Sequence, residues 1–260
     1  MEEICARQRL GRKGIGMDQE LRNRAQRYLR RKTDQNINLL AALQDGIARV
    51  VLAGEEGCLL CTGGAIWQIA AADTETALRF LERVPAGTAM LEVQEISQTD
   101  AVAERFQPRC IEFYHNAWYA GSDIRLPETG AEARLLTAED APLLARYYHL
   151  PGADAGKPEE TEAYLRGRAG AGTLYGAFLD GKLAGFVGTH DEGSIGALTV
   201  VPEFRRRGLG TYLECLAIRK ALERGDLPFG QVAPGNGASL ALQRSLGMTI
   251  SREMVCWMDR

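Results

Sequence analysis

Spacing of apolar residues divides the chain into helical and extended stretches. Met17, Leu21, Ala25, Tyr28 and Leu29 share one face of a predicted helix, with Arg22, Arg24, Arg27, Arg30 and Arg31 elsewhere on it, and residues 36–43 predict a second helix ending near Asp45-Gly46. Beyond Gly46 the period shortens. Residues 47–53, 58–62 and 65–70 predict three strands broken by glycine turns; a helix at 74–84, a strand at 89–93, a helix at 99–106 and a strand at 110–118 follow. Residues 121–133 carry no period and set a boundary, giving units of 1–125 and 131–260, with 1–16 an aperiodic extension and Met17 an alternative start.

The second unit repeats that order. A strand at 134–136 leads into a helix through Leu143, Leu144, Tyr147 and Tyr148, with Thr137 as N-cap and Asp140 at its third position. A helix at 159–168, strands at 174–179 and 183–189 around Asp180-Gly181, and a turn at Asp191-Glu192-Gly193 precede a buried strand running to Val200. Leu209, Tyr212, Leu213, Leu216, Ala217 and Ala221 then mark one face of a helix, followed by a strand at 229–232, a helix from near Ala238 and a closing strand at 248–258. Helices, strands, helix, strand, helix, strand, written twice, predict an α/β (α+β) fold of mixed sheet flanked by helices, in two tandem copies.

The junction at 198–213, LTVVPEFRRRGLGTYL, carries the chemistry. A strand turns through three arginines and two glycines into a helix whose first backbone N–H groups have no partner, and the glycines leave those donors open to an anion. The spacing fits neither GxxxxGK[ST] nor GxGxxG, whose first glycine would be Arg206.

Leu198, Val200, Pro202, Arg205, Gly208 and Gly210 resemble the acyl-coenzyme A loop of the GNAT acyltransferase superfamily. Asn236, Ser239, Leu246 and Gly247 resemble its second signature, and with PFGQV ahead of Asn236 the likeness, over residues 134–260, is to the glycine N-acyltransferase-like branch. The first unit has no glycine at 68–74, where its loop would fall, so it reads as a degenerate copy with a structural or substrate-shaping task. The resemblance implies attack of a small-molecule primary amine on acetyl-CoA, without a metal. It implies that Leu198, Thr199 and Val200 hold the pantetheine arm and thioester by their backbones. Arg205, Arg206, Arg207, Gly208, Leu209, Gly210 and Thr211 would hold the pyrophosphate, and Asn236 and Ser239 the arm or the adjoining loop. It places a base at the start of the central strand, where this chain has Ser194; Glu192 ranks first as substitute, with Asp191, His190 and Glu203 as alternatives. The resemblance puts a tyrosine acid where Gln243 stands; an amide cannot protonate a thiolate, though it can donate a hydrogen bond to one. Tyr212 is an alternative acid, but its spacing fits the core face. These departures keep open a second class, a CoA-binding regulatory or structural protein without transferase activity.

Composition narrows the partners. The 260 residues are 45% hydrophobic and 25% charged with a net charge of -3, an ordinary globular balance with no general pull toward nucleic acid or anionic membrane. No apolar run approaches the roughly 20 residues of a membrane span and no signal-peptide core is present, so a cytoplasmic protein, with a homodimer open, is expected. Six cysteines are too few for a disulfide framework. Cys58 and Cys61 form one CxxC, read as buried apolar side chains against a redox or metal pair, and the arginine-rich helix reads as a solvated face against an anion- or RNA-binding one.

Overall fold

The computed structural model describes residues 19–152 and 155–260; the expected extension 1–16 and Met17 lie outside the described residues. A helix over 19–29 (α1) and Ile37–Gln44 (α2) precede the meander Ala48–Gly54 (β1), Gly57–Thr62 (β2) and Ile66–Ala71 (β3). Thr74–Leu81 (α3), Met90–Val93 (β4), Thr99–Phe106 (α4) and Cys110–Trp118 (β5) complete the first half. After an irregular passage come Glu132–Leu135 (β6), Ala141–Leu144 (α5), Pro158–Gly170 (α6), Leu174–Leu179 (β7), Lys182–Thr189 (β8), Ile195–Val200 (β9), Leu209–Arg224 (α7), Phe229–Val232 (β10), Gly237–Ser245 (α8) and Thr249–Asp259 (β11). The helix expected to run through Tyr148 is shorter: α5 ends at Leu144, Tyr147 lies in the turn that follows, and Tyr148 lies beyond it.

All eleven strands form one mixed sheet in the order β1-β2-β3-β4-β11-β5-β10-β9-β8-β7-β6. Only β3/β4 and β9/β10 are parallel. The closing strands of the halves are exchanged: β11 pairs with β4 of the first half, while β5 pairs with β10 of the second over four positions, and the two exchanged strands pair with each other from Cys110↔Asp259 inward.

Strand alternation divides the core between the faces. Leu60 and Ala70 pack under α1 and α2, Leu59 and Ile69 under α3 and α4. In the second half Phe186 and Ala197 pack with α5 and α6, and Val187, Ile195 and Val232 with α7. Tyr212 is buried in this last cluster, as its spacing predicts. Cys58 and Cys61 belong to cores on opposite faces, so they cannot chelate one ion or close one disulfide. No described helix is long and apolar enough to cross a membrane.

Where the halves meet, a polar cluster replaces the apolar core. The fully buried carboxylate of Glu92 on β4 accepts from Asn38 Nδ2 (2.7 and 2.9 Å), Gln68 Nε2 (2.7 Å) and Gln231 Nε2 (2.9 Å). Gln231 also accepts from Trp257 Nε1 (2.9 Å) and donates to Asn116 (3.1 Å), so β3, β4, β5, β10, β11 and α2 join one network. Burial outweighs the amide donors and pushes Glu92 up from 4.5 to about 7. The folded chain therefore holds a proton that the unfolded chain has released, so this residue's contribution to stability is fullest below about pH 4.5 and falls as pH rises to about 7. Denaturant melts of wild type and Glu92→Gln across that window are expected to show the wild type's relative stability declining with pH; a pH-independent difference would contradict the raised carboxyl.

Candidate active site

The site begins with a defect in the sheet. On β9, Thr199 faces Phe186 and Gly196 faces Gly188, so two residues, Ala197 and Leu198, stand against one on β8. Ala197 adopts φ 53° to absorb the extra residue. On its other edge β9 pairs with β10 at Gly230↔Ile195 alone, after which the parallel strands part; their counterparts β3 and β4 stay paired from Ile66↔Met90 to Ile69↔Val93. The backbone of Leu198, Thr199 and Val200 thus borders a split instead of a ladder. Within it the Thr199 hydroxyl donates to Ala197 O (3.3 Å), and Arg205 Nε to Val200 O (3.3 Å).

The split opens toward the start of α7. A 3-10 turn at Pro202–Phe204 leads to Arg206 (φ 60°) and Gly208 (φ 76°), both left-handed. Glycine takes that geometry freely; Arg206 holds it at a cost on the order of 1–2 kcal/mol. Gly208 is the N-cap and offers no side-chain acceptor, so the N–H groups of Leu209, Gly210 and Thr211 face the loop without a cap. The exposed Arg206 and Arg207 flank this mouth, Arg207 lying 5.5 Å from the Phe204 ring, whereas Arg205 braces the strand end. The corresponding helix of the first half is sealed: Asp73 caps α3 by accepting from Thr76 N (2.8 Å) and puts a carboxylate where an anion would sit.

Asn236 and Ser239 lie at the start of α8, where Asn236 Oδ1 accepts from Ser239 N (3.1 Å) and caps the helix. The buried Gln243 of α8 donates from Nε2 to Glu214 Oε1 on α7 (3.1 Å). Burial pushes Glu214 up to about 7.

On the opposite face, before β9, Glu192 is 8% exposed and accepts a hydrogen bond from Ser194 Oγ. His190 lies against β9, its Nε2 2.0 Å from where a Cβ on Gly196 would stand. The Tyr164 hydroxyl is hydrogen-bonded to His190 Nδ1, with the rings stacked at 5.8 Å, and Arg168 pairs with Asp191. Burial, and after it the Glu192 charge, push Tyr148 and Tyr164 up. Tyr164, Arg168 and Glu214 belong to no motif: the first two are ordinary helix positions, and the third sits among apolar neighbours. Glu203 lies apart, exposed on the 3-10 turn.

Residues 174–258 match the family model described as FR47-like protein. No curated protein matches the chain. A GCN5-related N-acetyltransferase from Kribbella flavida superposes over 89% of this chain and 95% of its own, with TM-score 0.53 and 18% identity. A protein from Novosphingobium aromaticivorans assigned to the GNAT family superposes over 86% and 96%, with TM-score 0.51 and 21% identity. The fold is the GNAT fold. A Drosophila protein shares it over 93% of this chain and 96% of its own, with TM-score 0.64 and 16% identity.

In this GNAT fold, Gly196 is what lets the imidazole rest on the central strand. Gly196→Ala is expected to swing His190 away and break its bond to Tyr164, with only a small stability cost because the displaced atom ends a movable side chain. The His190 ring signals in an NMR spectrum should shift while the melting temperature changes little; unchanged ring signals would contradict this packing.

Proposed function

We propose that this chain is an acyl-CoA-dependent N-acyltransferase that moves acetyl from acetyl-CoA to the primary amine of a small molecule. The observation that carries the reading is the β9/β10 split opening onto an uncapped helix start, which sets strand-edge donors and anion-binding N–H groups along one path. The first turn of α7, with Arg206 and Arg207, suits a pyrophosphate, and the β9 edge at Leu198 to Val200 suits the amides of the arm. PFGQV ahead of Asn236, the N-cap of α8, supports the glycine N-acyltransferase-like branch.

The amine attacks the thioester carbonyl carbon, the carbon–sulfur bond breaks, and the electron pair leaves on sulfur. A strand N–H at the bulge stabilises the oxygen, and the amine's proton passes to Glu192, buried beside the strand and held by Ser194. We further propose that 1–125 and 131–260 are two copies of one unit, the first having lost its cofactor cleft. The closed β3/β4 pair and the Asp73 cap support this: they occupy the positions of the split and the anion site.

In Gly210→Val, a side chain at the mouth will screen the α7 N–H groups, and calorimetry should show coenzyme A affinity falling by well over tenfold; unchanged affinity would sink the binding site. Glu192→Gln should slow thiol release from acetyl-CoA by roughly a hundredfold. Coenzyme A binding with no thiol release across a panel of amines would favour a regulatory CoA-binding protein instead.

A further inference from the structure

Two adjacent acids stand in the turn before β9, and they differ in surroundings: Glu192 is 8% exposed, while the Asp191 side chain is 60% exposed. The turn's own backbone bonds do not choose between them. Gly193 N donates to His190 O (3.1 Å) and His190 N to Ser194 O (2.9 Å), which closes the turn and engages neither carboxyl.

The side chain that does choose is Arg168, near the end of α6. Its guanidinium donates from Nε to Thr189 O (2.8 Å) and from Nη2 to His190 O (3.2 Å), and its Nη1 pairs with Asp191. All three nitrogens grip three consecutive residues, and the side chain is only 12% exposed. A charge so enclosed is costly unless its donors are engaged, and here one short stretch of chain engages each nitrogen. The backbone of Arg168 is tied to the same place: its carbonyl accepts from Thr173 N (3.2 Å) and Thr173 Oγ1 (2.9 Å), and Thr173 O accepts from Thr189 N (3.2 Å). One helical turn earlier, on the same face of α6, Tyr164 meets the His190 ring.

This grip sorts the two acids. With Asp191 held on the exposed side by α6, the next side chain, Glu192, is left to turn inward, where Ser194 Oγ donates to it beside the strand. A lysine, with one compact ammonium, cannot meet three acceptors in the fixed directions of the guanidinium fork.

We propose that Arg168 is a positioning residue for the base: it holds Asp191 outside the site and so fixes Glu192 as the acid that faces the amine. The proposal rests on the reading above that Glu192 takes the amine's proton. Arg168 touches no reacting atom and acts only through the turn.

The test is a double-mutant cycle on thiol release from acetyl-CoA, run against a panel of primary amines and read on the best acceptor. Arg168→Lys is expected to lower kcat roughly ten- to a hundredfold, with coenzyme A affinity by calorimetry within about twofold of wild type. In a Glu192→Gln background the same substitution should cost about twofold or less, since no base remains to be misplaced. Asp191→Ala, on the exposed side of the turn, should lose in the same direction and by less, and again almost nothing in Glu192→Gln. That second cycle decides alone where Arg168→Lys fails to fold. A purely structural role would give equal losses in both backgrounds. Such equal losses, or Arg168→Lys working at the wild-type rate, would overturn the proposal and leave the transferase reading standing. Full activity of Glu192→Gln would overturn the assignment of the base and this proposal together, and coenzyme A binding without thiol release by wild type would overturn the transferase reading itself.

Discussion

Backbone donors and acceptors inside a sheet need partners, and β9 leaves most of one edge without a neighbouring strand. The bulge at Ala197 adds a residue against β8, which re-aims the strand, and β10 follows it for one pair only. The departure is contained by neighbours. Thr199 and Arg205 satisfy carbonyls along the edge, and α7 begins with its own unpaired N–H groups at the open end. Strand edge and helix start thereby present donors to one narrow space, which is why a loop rich in arginine and glycine can be a site and not merely a turn.

The two halves run the same order of elements to opposite ends. In the first, β3 and β4 stay zipped and Asp73 satisfies the helix start from within; in the second, β9 and β10 separate and Gly208 leaves the start open. The exchanged strands connect these outcomes. A four-residue strand bordering a split would be poorly anchored by one pair, but β10 is hydrogen-bonded along its other edge to β5, which belongs to the first half. The half without a cleft holds rigid one wall of the other's.

Buried carboxyl groups take distinct roles according to their partners. Glu92 lies at the seam among amide donors from three elements, Glu214 faces a single glutamine, and Glu192 faces a serine beside the strand. Such groups persist only where hydrogen bonds offset desolvation, so each marks a place where an apolar side chain would pack as well and do less.

The order of elements, the irregular passage between the halves, the core placement of Tyr212 and the loop from Arg205 to Thr211 were legible in the sequence by itself, because periodicity and glycine spacing are local properties. The two halves of the CxxC could likewise be assigned to opposite faces from strand alternation. The strand exchange was not legible: β5 and β11 have the same pattern whichever half they complete, and which neighbour they join is decided by long-range pairing. Nor were the Tyr164–His190 contact, the Glu214–Gln243 pair or the service of Arg205 to Val200, since each joins residues that no period relates. Sequence alone determined which stretches could form a strand, a helix and a glycine-broken turn. Only the tertiary structure decided which strands part and which carboxyl meets which amide, because both follow from packing between elements far apart along the chain.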